Sequence, residues 1–296
     1  MCVLKLPDAA RNQYARLAWL GRHYYPPNRL VHRIRIGKYD KLKILTIRQR
    51  LYRFYEKAEG RIVPGLRYSQ LEYVEILQEF SPGCRWLDLG CGHQIIPDWM
   101  GDTERAIVRK SALIVGADMD VEGIKRHRSI RDRVIANFEL APFRSETFDL
   151  ITANMVMEHV SNPVAALREI GRMLKPGGRF IFHTPNFRSI YVFPAVILPQ
   201  KLKNRLIRLF ESREEHDAFP TLYRINTPRA IHQKAKEAGF GVVDIRLLNN
   251  SARYVMLGPV AIILELLMLK LLMLPVFRSF RSNMIGILEK TAGKPY

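Results

Sequence analysis

Residues 86–94, WLDLGCGHQ, constrain this chain more than any other stretch. Apolar Trp86, Leu87 and Leu89 surround one carboxylate, Asp88, and Gly90 and Gly92 follow at once. A nearly unbroken apolar run marks a strand buried on both faces of a parallel sheet. Two glycines directly after it mark a tight turn whose backbone must approach a ligand. A helix opening after that turn would aim its unpaired N–H groups at the same ligand. Strand, turn and helix in this order point to a nucleotide-type cofactor. A dinucleotide fingerprint needs a third glycine so that helix, strand and pyrophosphate pack closely. That position holds Ile95, and no phosphate loop of the P-loop kind occurs. The acid inside the strand end suits a ligand carrying ammonium or sulfonium charge.

Further signals follow at regular intervals. Ala112 to Asp118, ALIVGAD, is a second apolar run ending in an acid, with Asp120 two residues on. Thr147 to Asn154, TFDLITAN, is another strand, followed by Glu158-His159-Val160. Asn162 to Leu174 is predicted as a helix, with Val164, Leu167, Ile170 and Leu174 spaced three to four apart. Lys175-Pro176-Gly177-Gly178 stops it, and Arg179 to Thr184 is a strand closed by Pro185-Asn186. Thr227-Pro228 starts a helix as N-cap and first-turn proline; it runs to about Ala238, and Phe240 to Leu247 is a strand. Glu72 to Phe80 is expected as the helix before the first strand, and Ile44 to Glu59 as a helix in the N-terminal flank.

The acidic-x-G-x-G turn, then FDL, EHV, LKPGG and TPN in order, resemble the class I S-adenosylmethionine (SAM) dependent methyltransferases, specifically the methyltransferase type 11 family. The resemblance spans roughly residues 68–248. It implies an α/β fold, a doubly wound Rossmann-like sheet of seven strands with the last antiparallel, and SAM as cofactor. It places Asp88, Gly90 and Gly92 at the amino-acid end of SAM and Asp118 at the ribose hydroxyls, and counts Met119 and Phe138 among the cofactor-binding residues. Asp120 is then the cap of the next helix. Asn137 falls where the family usually has an aspartate at the adenine amino group, and its amide oxygen can accept the same bond. Asn154, at the end of the fourth strand, is expected to face the methyl group. The family's substrate mouth implies roles for Phe219, Tyr223 and Arg224 within an insertion spanning 187–226.

Charge separates the flanks from the middle. The chain has 47 Lys and Arg against 28 Asp and Glu, a net charge of +19. Residues 1–60 carry 14 basic and 4 acidic side chains, residues 61–195 carry 17 and 16, and residues 196–296 carry 16 and 8. A nearly neutral centre between basic flanks is expected to attract an anionic partner, a membrane surface or a nucleic acid. Three cysteines, Cys2, Cys84 and Cys91, have no metal spacing and fit a reducing cytoplasm. No metal site is expected. Charged and polar residues interrupt every apolar stretch of the first twenty residues, so no signal peptide is read there.

Three regions result: a basic, helical N-terminal extension (1–65) that packs on the core and helps cover the site, a methyltransferase domain (66–254), and an apolar C-terminal segment (255–296). In the last, Val255 to Phe277 is almost wholly Leu, Met, Ile and Val. A membrane span needs roughly 20 apolar residues. Pro259 and Pro275 bracket only fifteen, about 22 Å of helix at ~1.5 Å per residue. Glu265 and Lys270 inside it also disfavour a simple span. A helix lying in the membrane interface, a re-entrant hairpin, and a helix buried against the core or a second subunit all remain. Arg278 and Arg281 just beyond it favour lipid headgroups.

The sulfonium makes the methyl group electrophilic, so transfer needs alignment above all. A general base is needed only where the nucleophile must lose a proton, and His159, His183 and His216 are the candidates. The expected function is methyl transfer to a small, hydrophobic or lipid-linked acceptor, quinone-like, lipid or glycan-lipid, at the cytoplasmic membrane face. A homodimer is a further possible arrangement. An RNA methyltransferase using the basic flanks is one rival. A nucleic-acid base methyltransferase would show an aromatic N-P-P-Y type turn, where this chain has Asn154-Met155-Val156-Met157. The other rival, a non-catalytic binding protein of the same fold, would have no need of an intact Asp88, Gly90, Gly92 and Asp118.

Overall fold

The computed structural model describes residues 38–137, 141–193, 220–251 and 255–291. Their order is α1 (Lys38–Ile62), α2 (Ser69–Phe80), β1 (Arg85–Leu89), α3 (Gly101–Lys110), β2 (Leu113–Asp118), α4 (Val121–Lys125), β3 (Asp132–Ile135), β4 (Phe148–Asn154), α5 (Pro163–Met173), β5 (Leu174–Pro185), α6 (Pro228–Glu237), β6 (Phe240–Leu248), α7 (Pro259–Met273) and β7 (Asn283–Lys290). Seven strands form one sheet in the order β3-β2-β1-β4-β5-β7-β6. The pairs among β1 to β5 are parallel, and β7 runs antiparallel between β5 and β6. The chain winds outward from β1 to β3, then crosses back to β4, so the switch point lies between β1 and β4. In open α/β sheets that crevice, beyond the carboxyl ends of the strands, is where ligands bind.

Both faces of the sheet are covered. On one, Leu87, Leu89, Ile151 and Phe180 pack with Leu167 and Ile170 of α5 and Ile231 of α6. On the other, Trp86, Ile114, Ile285 and Ile287 pack with Tyr73 and Leu77 of α2 and Ile107 of α3. Local chemistry sets the helix starts as the sequence predicts. The Asn162 side chain accepts from Ala165 N, that of Thr227 from Ala230 N, and that of Asp120 from Glu122 N.

Two expectations need correction. No helix opens at the glycine turn: residues 91–97 are irregular, and a 3-10 turn from Asp98 to Met100 leads into α3. The cause is a buried ionic clasp. Glu104 of α3 accepts from Ile96 N at 3.1 Å and pairs with Arg128, whose Nη2 donates to Ile96 O at 2.6 Å. Second, the methyltransferase fold does not end at 254. The segment set apart as 255–296 supplies β7, which pairs on both sides. The described part of the N-terminal flank is α1. It packs against α7, with Tyr55, Ala58 and Val63 meeting Val255, Ile262, Leu266 and Leu269. A polar chain fastens the two helices: the Tyr55 hydroxyl lies 2.6 Å from Ser251 Oγ, and Ser251 Oγ donates to Glu265 Oε1 at 2.8 Å. Glu265 is thus turned inward and partnered. Among the described residues no helix is long and apolar enough to cross a membrane.

Gly286 of β7 sits directly opposite Phe182 of β5. A Cβ there would stand 2.5 Å from the Phe182 ring, which is fully buried and stacked on Phe180. Gly286→Ala is therefore expected to cost about 1–3 kcal/mol by overpacking, read as a lower urea midpoint at unchanged slope. An unchanged midpoint would mean that this strand pair is loosely packed.

Candidate active site

The turn after β1 is fixed by backbone bonds to the end of β2. Gly90 N and Cys91 N donate to Ala117 O at 2.7 and 3.3 Å. Gly92 N donates to Asp118 Oδ2 at 2.7 Å, and Asp120 N to Asp118 Oδ1 at 2.8 Å. Gly90 and Gly92 have φ of +66° and +49°, the left-handed region that favours glycine. A Cβ at Gly90 would overlap Val156, whereas at Gly92 it would meet open space. Cys91 is buried against Gly116, where a Cβ would lie 2.8 Å from its sulfur, so size selects this residue. The chain leaves β4 in another constrained conformation: Met155 has φ +56° and its N–H donates to His183 O at 2.8 Å. Strain of this kind concentrates where backbone meets ligand.

Asp88 lies beneath this turn. It is 2 % exposed, and the Thr152 hydroxyl, itself accepting from Trp86 Nε1 at 2.7 Å, donates to Asp88 Oδ1 at 2.6 Å. Burial raises its carboxyl to about 7, opposed by the Thr152 bond and aided by the charges of Glu104 and Asp118. Asp118 is half-buried, and each of its oxygens already accepts one backbone N–H. A carboxylate has about four lone-pair sites, which leaves capacity for hydroxyl donors. Met119 is exposed at the same strand end, and Asn137 is exposed just after β3. The Gln94 amide oxygen is buried with no partner among the described residues, an acceptor left over within the loop. Open space at Gly92, an unpaired buried acceptor and carboxylates at two strand ends fit a ligand with a cationic amino-acid end and a ribose.

At the end of β4, Asn154 donates from Nδ2 to Ile95 O at 3.3 Å, and its Oδ1 accepts from His183 Nδ1 at 2.9 Å. The opposite nitrogen of His183 accepts from Asn283 Nδ2 at 3.1 Å, and Asn283 Nδ2 also donates to Ser69 Oγ at 2.9 Å. Tyr73 stacks on the imidazole. His183 is fully buried, and burial lowers its pKa to about 3. This corrects its candidacy as a base: His183 is a neutral core residue with both nitrogens engaged. His159 stands differently. Its Nδ1 lies 3.1 Å from Pro220 O, its Nε2 lies 4.0 Å from Glu158 Oε1, and its side chain is 30 % exposed. His216, Phe219 and Phe138 lie outside the described residues.

The sequence reading passed over Glu158 as a site residue. Its carboxylate is buried and accepts from Thr184 Oγ1 at 2.9 Å, while its carbonyl accepts from Leu222 N and Tyr223 N at 2.7 and 3.0 Å. It thereby ties the returning end of the 187–226 insertion to the end of β4. Tyr223, at φ +52°, sets its ring 5.9 Å from that of Phe187, and Arg224 Nη1 donates to Ser161 O at 2.5 Å. The available signal was the acid of the EHV motif itself. Among the described residues no group of three or more His, Cys, Asp or Glu could hold a metal ion.

Comparison with known proteins identifies the family. A family described as a methyltransferase domain matches residues 59–245. A ubiquinone biosynthesis O-methyltransferase of Pseudomonas syringae pv. tomato is 30% identical over 216 residues, covering 70% of this chain and 85% of the relative. A protein of the same description from Pseudomonas fluorescens is 30% identical over 172 residues, covering 55% and 67%. Among solved structures, an S-adenosylmethionine dependent methyltransferase from Mesorhizobium loti is 15% identical with a TM-score of 0.47, covering 75% of this chain and 97% of its own.

Two measurements check the site. Asp118→Ala is expected to weaken SAM and S-adenosylhomocysteine binding in calorimetry by at least about tenfold, since two ribose hydroxyls would lose their acceptor; undiminished binding would move the ribose elsewhere. Asp88 gives a pH signature. Its ordinary value is 3.8 and its folded value about 7, so the folded state binds the extra proton between them. Its stabilising contribution is complete below about pH 4 and is lost as pH rises through about 7, by ~1.4 kcal/mol per pH unit. Wild-type stability minus that of Asp88→Asn, measured without cofactor, should fall across this window. A flat difference would mean that the carboxyl is solvated.

Proposed function

The chain belongs to the SAM-dependent methyltransferase family, and we propose that it methylates a hydroxyl oxygen of a small, hydrophobic, lipid-linked acceptor of the quinone-precursor kind at the cytoplasmic face of a membrane. SAM is the methyl donor, and when bound it supplies an electrophilic methyl on a sulfonium. In this reading Asp88, Gly90 and Gly92 hold its amino-acid end, Asp118 its ribose, with Met119 beside the adenosine and Asn137 at the adenine. Asn154 faces the methyl group, its orientation fixed by His183 and Ile95 O.

The observation that carries the choice of oxygen as acceptor is the setting of His159. A phenol or alcohol must lose its proton to become a nucleophile. With Nδ1–H donated to Pro220 O, the neutral imidazole presents Nε2 as its basic nitrogen. Nε2 would take the hydroxyl proton of the acceptor, and the methyl would come from SAM, whose sulfur would keep the bonding pair. The names of the relatives point to oxygen as well. The basic flanks and the bare apolar surface of α7 support a membrane-borne acceptor, with Tyr223 and Arg224 at its entrance.

The test is transfer of labelled methyl to prenylated phenols, including catechols, by the purified protein, read by mass spectrometry. His159→Ala is expected to lower kcat on the order of a hundredfold or more, and Tyr223→Ala to impair transfer, both with SAM affinity nearly intact. If SAM binding collapses along with activity, these residues serve the cofactor or the fold. If none of these phenols is methylated by the wild type, the acceptor class is wrong.

A further inference from the structure

Helix α7 is apolar all round, yet only one side of it is packed. Ile262, Leu266 and Leu269 are buried against α1, and Glu265 is turned the same way onto Ser251. On the other side Val260, Leu264, Leu267, Leu271 and Leu274 repeat at intervals of four and three, one continuous face, with exposures of 73%, 62%, 50%, 46% and 50%. Val276 and Phe280 in the following 3-10 turn extend it, the former 75% exposed. Single exposed leucines are ordinary, but a contiguous face of this kind marks an interaction surface.

Its place in the fold is as telling as its composition. Residues 249–282 leave the sheet after Leu248 and return at Asn283, which pairs with both Leu248 and Pro185. The segment therefore emerges from the edge where β5 ends, the edge that holds the cofactor turn and the start of the 187–226 insertion. Asn186 Nδ2 donates to Ser279 O at 2.9 Å and Arg281 O at 2.7 Å, tying the end of β5 to the turn after α7.

Charge selects the occupant. The only acid in residues 255–282 is Glu265, and it is buried; Lys270 and Arg278 are exposed. Arg50, Arg53, Lys57 and Arg61 are exposed on the neighbouring helix α1. The outer side of α7, where the exposed charged groups are both positive, complements an anionic leaflet. A second copy of a chain with net charge +19 would bring Lys270 and Arg278 against their own kind across a two-fold axis. The helix has 15 residues, too short for a bilayer core of ~30 Å but suited to lying in the headgroup boundary with its apolar face sunk by about 5–10 Å.

We propose that the outer face of α7 docks onto an anionic lipid bilayer and so holds the carboxyl edge of the sheet, with the substrate entrance, against the membrane. This deepens the reading of a lipid-linked acceptor and rests on it for its purpose. The attachment has two parts: a salt-sensitive attraction through the basic residues and a salt-resistant one through the buried apolar face.

Flotation of the full chain tests it with two kinds of vesicle, phosphatidylcholine alone and an equal mixture of phosphatidylcholine and phosphatidylglycerol. The wild type should float with the mixture far more than with phosphatidylcholine alone, and part of that binding should survive high salt. Leu264→Glu, Leu267→Glu and Leu271→Glu together should reduce partitioning by roughly tenfold or more, with melting temperature and S-adenosylhomocysteine affinity unchanged. Lys270→Glu with Arg278→Glu should remove most of the preference for phosphatidylglycerol. A wild type that stays with the soluble fraction, or a triple variant that floats as well as the wild type, overturns the proposal. So does a wild-type dimer by sedimentation that the triple variant turns into a monomer, since the face would then belong to a second copy. A chain that methylates prenylated phenols in detergent but does not float loses the docking surface and keeps the transfer reaction. A chain that floats as described but methylates none of them keeps the docking surface and loses the acceptor reading.

Discussion

The bond from Gly92 N to Asp118 Oδ2, 2.7 Å long, joins the two strand ends on which the proposed cofactor site depends. It exists because β1 and β2 pair in parallel register, with Leu89 beside Ala117. That register brings the turn within reach of the next strand's terminal acid. The turn then has little freedom. Gly90 is held to Ala117 O and pressed on Val156, and Cys91 fills the space that Gly116 leaves. A loop fixed in this way before any ligand arrives avoids much of the ordering cost of binding. The chemistry expected of the site, alignment of a methyl group with a nucleophile, rewards such rigidity.

The other side of the site is held by a second set of bonds, and these reach across the sheet. Asn154 meets His183, His183 meets Asn283, and Asn283 meets Ser69. Four elements, β4, β5, β7 and α2, are thereby pinned around one buried imidazole. The cost of burying these polar groups is offset only because the donors and acceptors in this chain are matched. The arrangement also places Asn283, the first residue of β7, where the α7 segment re-enters the sheet, one hydrogen-bonded side chain, His183, away from Asn154.

Where the sequence was legible, the residues carried a local physical signal. Trp86 to Leu89 and Phe148 to Asn154 are apolar runs of strand length, and Asn162, Thr227 and Asp120 are side chains that cap helices by themselves. The parts that escaped reading depend on distant partners. Met284 to Leu288 is a strand buried on both faces, and beside the apolar run of α7 it has no alternation to set it apart. The glycine turn runs on as loop because Glu104, in the next helix, and Arg128, 32 residues on, take the backbone of Ile96. His183 reads as a candidate base in the sequence; only the burial and partners contributed by Asn154 and Asn283 show it to be part of the core. Glu265 reads as a charge inside an apolar helix, and only the packing of α1 on α7 shows which way it turns.

The placement of the cofactor is tested most directly by a crystal structure with S-adenosylhomocysteine. The expected result is the homocysteine end along the Gly90 to Gly92 turn above Asp88, the ribose hydroxyls on Asp118, and the sulfur pointing towards Asn154 at the end of β4. The molecule bound elsewhere on the chain, or lying across the turn with its ribose away from Asp118, would contradict it.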